Sequence, residues 1–335
     1  MRAYRIHDYA GLEAFRREEL STPKPGPGQA LVRIHATSLN YRDLLVAKGL
    51  YSRQLPLPLV PLSDGAGEVV EVGPGVTRVK PGDRVAPSFM QAWIEGGPTE
   101  EKAKSALGGT IDGVLAELVV LGQDGLVAVP DHLSFEEAAT LPCAAVTAWH
   151  ALFGEGSIKP GDTVLVQGTG GVSLFALQFA RMAGARVIAT SSSDEKLERV
   201  RALGASDGIN YKTTPDWDRR ARELTGGRGV DHVVEVGGAG TLPRSLNAVR
   251  MGGRISQIGI LSGAGEVNPI PILMKSVHVQ GIFVGSRAMF EDMNRAIGLS
   301  QLRPVIDRVF DFDVARDALR HMESGAHFGK IVIRV

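Results

Sequence analysis

Residues 168–173, GTGGVS, have the composition of an anion cradle. Glycines there let the backbone turn tightly and approach a pyrophosphate, and a helix opening at this point aims free N–H groups at it. Gly168, Thr169, Gly170, Gly171 and Val172 are the candidate phosphate contacts. A lone G-x-G-x-x-G is weak evidence, and here its third glycine is Ser173, a change expected to loosen helix–strand packing slightly. Context strengthens the reading. TVLVQ before the turn reads as an apolar strand, LFALQFARMAGA after it as an amphipathic helix, and RVIATSS as a second strand.

About 20 positions beyond the turn, NAD-binding folds carry a carboxylate for the ribose 2′-hydroxyl. This chain has Thr190, Ser191, Ser192 and Ser193 there instead. Hydroxyls donate to a 2′-phosphate that a carboxylate would repel, and Lys196, one turn into the next helix, can supply a cation. NADPH is expected over NADH. Part of the pattern needs no ligand: Ser192 and Glu195 fit an S-x-x-E capping box, and Lys196 fits a solvated surface charge.

The elements that must hold this turn fall into two kinds. From about residue 134 strands alternate with helices, as in SDGINY, VDHVVEV, GRISQIGI and SVHVQGIF, which implies a doubly wound parallel sheet. Ligands collect at the carboxyl ends of such strands, which adds Val236, Gly237, Gly259, Phe283, Val284 and Gly285 as cofactor-binding candidates. Earlier residues read as short strands punctuated by Gly and Pro, in ALVRIHATSL, DGAGEVVEVG, GDRVAP and GVLAELVVL, a mainly-β unit. The stretch 91–112 has weak periodicity and reads as a long binding loop or lid, with Phe89, Met90 and Trp93 as candidate walls of an apolar pocket. Ser134 and Glu137 fit a capping box.

Composition excludes several classes. Thirty-seven basic residues balance 37 acidic ones with no like-charge block, so neither a nucleic acid nor an anionic membrane is an expected partner. No apolar run reaches membrane-spanning length, the first 20 residues lack a signal-like apolar region, and the one cysteine, Cys143, suits a reducing cytoplasm.

Taken in order, LNYRDLLVAKGLY at 39–51, DGAGEVVEVGPGV at 64–76, KPGDRV at 80–85, LPCAAVTAWHAL at 141–152, GTGGVS at 168–173 and GKIVI at 329–333 resemble the medium-chain dehydrogenase/reductases, specifically their zinc-independent quinone oxidoreductase branch. The resemblance runs nearly end to end. It implies an α/β protein with a GroES-like mainly-β catalytic domain at 1–143 and 285–335 and a Rossmann domain at 144–284. It implies homodimers, or tetramers built from them, joined through the last Rossmann strand near VHVQGIFVG. By the same resemblance Asn40 and Tyr51 flank the substrate, Thr147 meets the nicotinamide end, and Tyr211 and Lys330 contact cofactor phosphates. An asparagine amide can stabilise charge growing on a carbonyl or quinone oxygen. A tyrosine hydroxyl, with a reference pKa of about 10, can donate a proton. Judged on residues alone, Asn40 could equally cap a turn, Tyr51 could be a half-buried aromatic, Tyr211 a packed ring and Lys330 a surface charge.

The zinc-dependent alcohol dehydrogenases of that superfamily are the competing resemblance. Catalytic zinc needs three protein ligands. Where those enzymes carry their first cysteine this chain has Asn40, and where they carry a His-Glu pair it has Ser63 and Asp64; Cys143 alone cannot build the site. His35 and His150 lie in apolar runs and read as core residues. No metal is expected. The leading expectation is NADPH-dependent, metal-free reduction of a small quinone or α,β-unsaturated carbonyl. An alcohol/ketone oxidoreductase and a catalytically idle NADPH-binding protein are the alternatives.

Overall fold

Strand–helix alternation after residue 160 produces a six-stranded sheet, every neighbouring pair parallel. The spatial order is Asp207–Asn210, Arg186–Ser191, Thr163–Gln167, Val230–Glu235, Val249–Gln257 and His278–Gly281. The chain thus starts in the middle, winds outward one way, and returns to wind outward the other way. The order reverses between Thr163–Gln167 and Val230–Glu235, and ligands bind at the carboxyl ends beside such a switch point. This computed structural model describes residues 1–155 and 157–335.

Chain contacts divide the protein into two compact units, residues 1–146 with 285–335, and residues 147–284. In the second unit Thr163–Gln167 and Val230–Glu235 are buried at every position, as strands covered on both faces must be. Helices Gly171–Met182, Asp194–Ala202, Trp217–Leu224 and Leu242–Ala248 connect the strands. Ser173, expected to loosen the helix, instead ties it down: its buried hydroxyl donates to the Gln167 carbonyl at 2.6 Å.

His232 lies inside this sheet, 3% exposed, with Nε2 2.8 Å from Ser256 Oγ. Burial, with Arg254 adding to it, pushes its pKa down to about 4. The unfolded chain therefore takes up a proton that the fold refuses. His232 stabilises the fold fully above its ordinary pKa, and that contribution disappears as pH falls from about 6.5 towards 4. Roughly two units correspond to about 3 kcal/mol. Thermal unfolding should show a fall in stability across this window, and His232→Gln should flatten the fall. An unaltered slope in the variant would remove His232 as its source.

The first unit is built on a seven-stranded sheet centred on Gln29–Ser38, which pairs antiparallel with Asp64–Val72, Leu118–Gly122 and Lys330–Arg334. The last strand sets Val332 opposite Ser38, so the carboxyl-terminal tail completes the amino-terminal sheet. Ser134 caps the helix Phe135–Ala138 in a reciprocal box with Glu137. The stretch read as a lid is anchored rather than free. Phe89, Met90 and Trp93 are 2%, 1% and 0% exposed, and Trp93 Nε1 donates to the Gly96 carbonyl at 2.8 Å. They are core side chains, not pocket walls. The sequence showed weak periodicity there because Met90–Ala106 and Leu107–Ile111 pair as isolated bridges around one short helix, Glu100–Ala103. Among the described residues no helix is long and apolar enough to cross a membrane.

Candidate functional site

The second unit presents its polar backbone where the strand order reverses. Gly168 follows Thr163–Gln167 with φ +71°, a conformation that disfavours any residue bearing a Cβ. Gly170 is the N-cap of Gly171–Met182, and no side chain caps that helix end. A Cβ built on Gly168 or Gly170 would meet nothing within 4 Å. The space over the turn is open and bordered by a helix N-terminus, which suits a pyrophosphate. A dinucleotide fits these residues; Thr169, Gly171 and Val172 complete the turn.

At the end of Arg186–Ser191, Thr190 Oγ1 accepts from the Gly168 N–H at 3.4 Å, tying the two strand ends together. Ser191 Oγ accepts from Ser193 N at 3.3 Å, and Ser192 is half-buried. The helix cap falls one residue later than its sequence pattern implied: Ser193, not Ser192, accepts from the Lys196 N–H, at 3.2 Å. Ser192 is thereby released from capping. The nearest carboxylate, Asp194, accepts from Asn210 Nδ2 at 2.9 Å. Tyr211 is 42% exposed and its N–H donates to the Ser191 carbonyl at 3.0 Å.

Across the switch point a buried network shapes the second strand end. Glu235, fully buried, accepts at Oε1 from Gly237 N (2.8 Å), Gly238 N (3.1 Å) and Thr241 Oγ1 (2.6 Å). Its Oε2 accepts from Gln167 Nε2 at 2.7 Å and from Ser245 Oγ. Gln167 Oε1 in turn accepts from Val236 N at 3.2 Å and Gly237 N at 3.3 Å. A carboxylate with this many donors is what fixes the Val236–Gly237 turn. Gly259 packs so closely that a Cβ would lie 2.0 Å from the Val236 carbonyl oxygen. Sequence reading passed over Gln167 and Glu235. Their signal was a polar residue following an apolar run at the carboxyl end of each of two strands, VLV then Gln167 and VV then Glu235.

The remaining cofactor candidates surround the points where the chain passes between units. Thr147 is buried, in a helical stretch whose turns widen at Leu141–Ala145 and His150–Gly154. Phe283 is 43% exposed, whereas Val284 is buried with φ +56°, an outlier for a β-branched residue. His150 Nδ1 lies 2.7 Å from the Val284 carbonyl oxygen and holds that strained residue. A Cβ on Gly285 would lie 2.7 Å from Val146 Cγ1.

In the first unit four side chains close a ring. Lys330 Nζ donates to Asn40 Oδ1 at 2.7 Å and to the Leu39 carbonyl at 2.5 Å. Asn40 Nδ2 donates to Ser63 Oγ at 3.4 Å, and Ser63 Oγ donates to Asp64 Oδ1 at 2.7 Å. Asp64 Oδ2 faces Lys330 Nζ at 3.9 Å and accepts from the Cys143 N–H at 3.1 Å. Lys330 is 3% exposed and Asp64 fully buried. This revises the expectation for Lys330: its ammonium is committed to Leu39 and Asn40 inside the first unit instead of reaching a cofactor phosphate. Burial raises the Asp64 pKa, opposed chiefly by the neighbouring ammonium and by the Ser63 hydroxyl.

Asn40 precedes the helix Tyr41–Ala47, whose end is closed without its amide. The Asn40 N–H donates to Asp43 Oδ2 at 2.7 Å, and the Asp43 N–H donates to the Asn40 carbonyl at 2.9 Å. The half-buried amide side chain is left for Lys330 and Ser63. Tyr51 is 41% exposed, and the Arg42 guanidinium sits 5.7 Å from its ring centroid and 4.5 Å from that of Phe89. Arg42 also donates to the Leu107 and Gly108 carbonyls at 2.5 and 3.1 Å. Asp43 is buried beside it, and burial, opposed by Arg42, lifts its pKa to about 6.

Catalytic zinc does not fit this arrangement. A zinc ligand set wants thiolate, imidazole or carboxylate. Here an amide and a hydroxyl occupy two places, an ammonium already faces the carboxylate, and burial next to Asp64 pushes the Cys143 thiol up to about 12. Among the described residues no group of three or more His, Cys, Asp and Glu side chains is disposed to hold a metal ion.

Comparison with known proteins follows both units. Residues 26–131 match the family described as alcohol dehydrogenase GroES-like domain, and residues 171–299 the family described as zinc-binding dehydrogenase. The chain is 48% identical over 341 residues to a zinc-type alcohol dehydrogenase-like protein of Schizosaccharomyces pombe, covering 99% of each. It is 29% identical over 343 residues to the quinone oxidoreductase of Rattus norvegicus, covering 99% of this chain and 97% of that one. The crystal structure of a candidate alcohol dehydrogenase from Sinorhizobium meliloti matches with a TM-score of 0.93 at 45% identity, covering 100% of this chain and 98% of that one.

Proposed function

The chain belongs to the medium-chain dehydrogenase/reductase superfamily, and from that premise we propose that it is an NADPH-dependent reductase of quinones or α,β-unsaturated carbonyls that works without a metal ion. Oxidoreduction with a pyridine nucleotide is the activity of the superfamily. The finer reading is carried by the Asn40–Ser63–Asp64–Lys330 ring, in which neutral donors and an ammonium stand where zinc ligands would be needed.

When bound, the reduced nicotinamide supplies the hydride. The protein's own groups manage the charge that results. Asn40 Nδ2 donates to the acceptor oxygen as negative charge builds there. The Tyr51 hydroxyl donates the proton that the reduced acceptor needs. In the second unit Gly168, Thr169, Gly170, Gly171 and Val172 hold the pyrophosphate, while Ser191, Ser192 and Lys196 meet the 2′-phosphate. Val236, Gly237, Gly259 and Tyr211 follow the carboxyl ends of strands in the same sheet, with Thr147, Phe283, Val284 and Gly285 towards the nicotinamide. The edge strand His278–Gly281 and the exposed Ile270, Leu273 and Met274 beside it suit a homodimer joined along that edge.

A spectrophotometric assay tests the reading: NADPH and NADH oxidation against 1,4-benzoquinone and 2-cyclohexenone, with metal analysis of the same preparation. NADPH should be preferred by about tenfold or more in kcat/KM, roughly 1.4 kcal/mol per tenfold, and Lys196→Ala should narrow the preference. Stoichiometric zinc with turnover confined to alcohols and ketones would overturn the proposal. That second reading has the Schizosaccharomyces pombe relative in its favour.

A further inference from the structure

We propose that Lys330 is a positioning residue for the reaction, a fixed buried cation that sets which face of the Asn40 amide meets the acceptor; this rests on the reductase reading above. An asparagine side chain can sit either way round, with oxygen and nitrogen exchanged. An ammonium decides between the two, because it donates and never accepts. With Lys330 Nζ 2.7 Å from Asn40, the atom facing it must be Oδ1, and the NH2 group is turned away. Ser63 Oγ accepts from that group at 3.4 Å and the group also faces the Asp64 carboxylate, so an acceptor oxygen takes its hydrogen bond from a donor already turned to the Ser63–Asp64 side. The charged donor on Oδ1 also polarises the amide, making Nδ2–H a stronger donor.

The ammonium is itself held on three sides. Leu39 and Asn40 accept from it, and Asp64 supplies the counter-charge at 3.9 Å. Asp64 is anchored by Ser63 Oγ and by the Cys143 N–H, so the ring cannot relax around one member. Lys330 opens the last strand, Lys330–Arg334, and Asp64 opens Asp64–Val72, each adjacent to Gln29–Ser38 in the sheet. The rigid sheet, rather than a loop, therefore fixes the distance between cation and carboxylate. An electrophilic centre that a metal could supply elsewhere is here assembled from a lysine acting through an asparagine.

The signature of action through Asn40 is non-additivity. Lys330→Met should lower kcat by about tenfold or more while the affinity for NADPH stays unchanged, and in an Asn40→Ala background it should add less than about a further twofold. Because Lys330→Met leaves Asp64 buried without its counter-charge, the charge-balanced Lys330→Met/Asp64→Asn protein is measured beside it and should fold with the same loss of turnover. Losses that multiply, or wild-type kcat in the charge-balanced variant, overturn the assignment. A second readout needs no turnover. The side-chain NH2 resonances of Asn40, identified by their disappearance in Asn40→Ala, should exchange with solvent faster in the charge-balanced variant than in the wild type; equal exchange also overturns it. If the wild type reduces neither 1,4-benzoquinone nor 2-cyclohexenone, the substrate class fails while this exchange measurement still decides the role of Lys330.

Discussion

Gly170→Val is expected to weaken NADPH binding by about 100-fold while leaving the fold intact. The expectation comes from what glycine is not needed for at this position. Gly170 has φ −78° and ψ 178°, an extended conformation open to every residue, and a Cβ there would meet no protein atom within 4 Å. As helix N-cap, glycine is better than an aliphatic residue by only about 1 kcal/mol. Neither backbone nor core demands it, so the demand comes from what lies over it. An added isopropyl group in space meant for a pyrophosphate should cost about 2–3 kcal/mol of binding, by analogy with overpacking. Gly168 is a poorer probe: at φ +71° any replacement is strained, and fold and ligand effects would mix. Calorimetric titration with NADPH and a thermal melt decide the matter. Unchanged affinity in a folded Gly170→Val protein would remove the pyrophosphate from this turn.

The sequence was most legible where one periodicity held over a whole element. The central strands of the parallel sheet, such as TVLVQ and RVIATS, were marked by short apolar runs, and the tail strand GKIVIRV joined Gln29–Ser38. It was least legible where structure depends on partners distant in the chain. Phe89, Met90 and Trp93 lie in a stretch without periodicity, and only the bridges that close it show that they are buried. Ser193 displaced Ser192 as cap because serines at 191, 192 and 193 offer the same chemistry and only backbone geometry separates them. Lys330 and Asp64 are 266 positions apart, and neither spacing nor composition announces that one faces the other. The Glu235 network is similar: its donors extend from Gln167 to Ser245, so the sequence marks the turn it supports and not the support.

Asn40→Ala is expected to lower kcat for quinone or enone reduction by about 100-fold, the loss associated with one donor to a developing oxyanion. Folding should be little affected, because the cap of Tyr41–Ala47 is made by the Asn40 backbone and the Asp43 carboxylate, and alanine keeps the first of these. The removed amide does leave the Lys330 ammonium with only the Leu39 carbonyl and the more distant Asp64, so a modest drop in melting temperature accompanies the variant. Tyr51→Phe provides the contrast. Its ring is 41% exposed and stacks over Arg42, contacts that phenylalanine retains, so stability should not change at all. If its hydroxyl is the proton donor, kcat should fall by about 100-fold or more. Affinity for NADPH should be unaltered in both variants, since neither Asn40 nor Tyr51 is among the groups assigned to the cofactor. Wild-type kcat in both would take these residues out of the chemistry. A loss in Asn40→Ala alone would leave water as the proton source and the amide as the one protein group that stabilises the reduced acceptor.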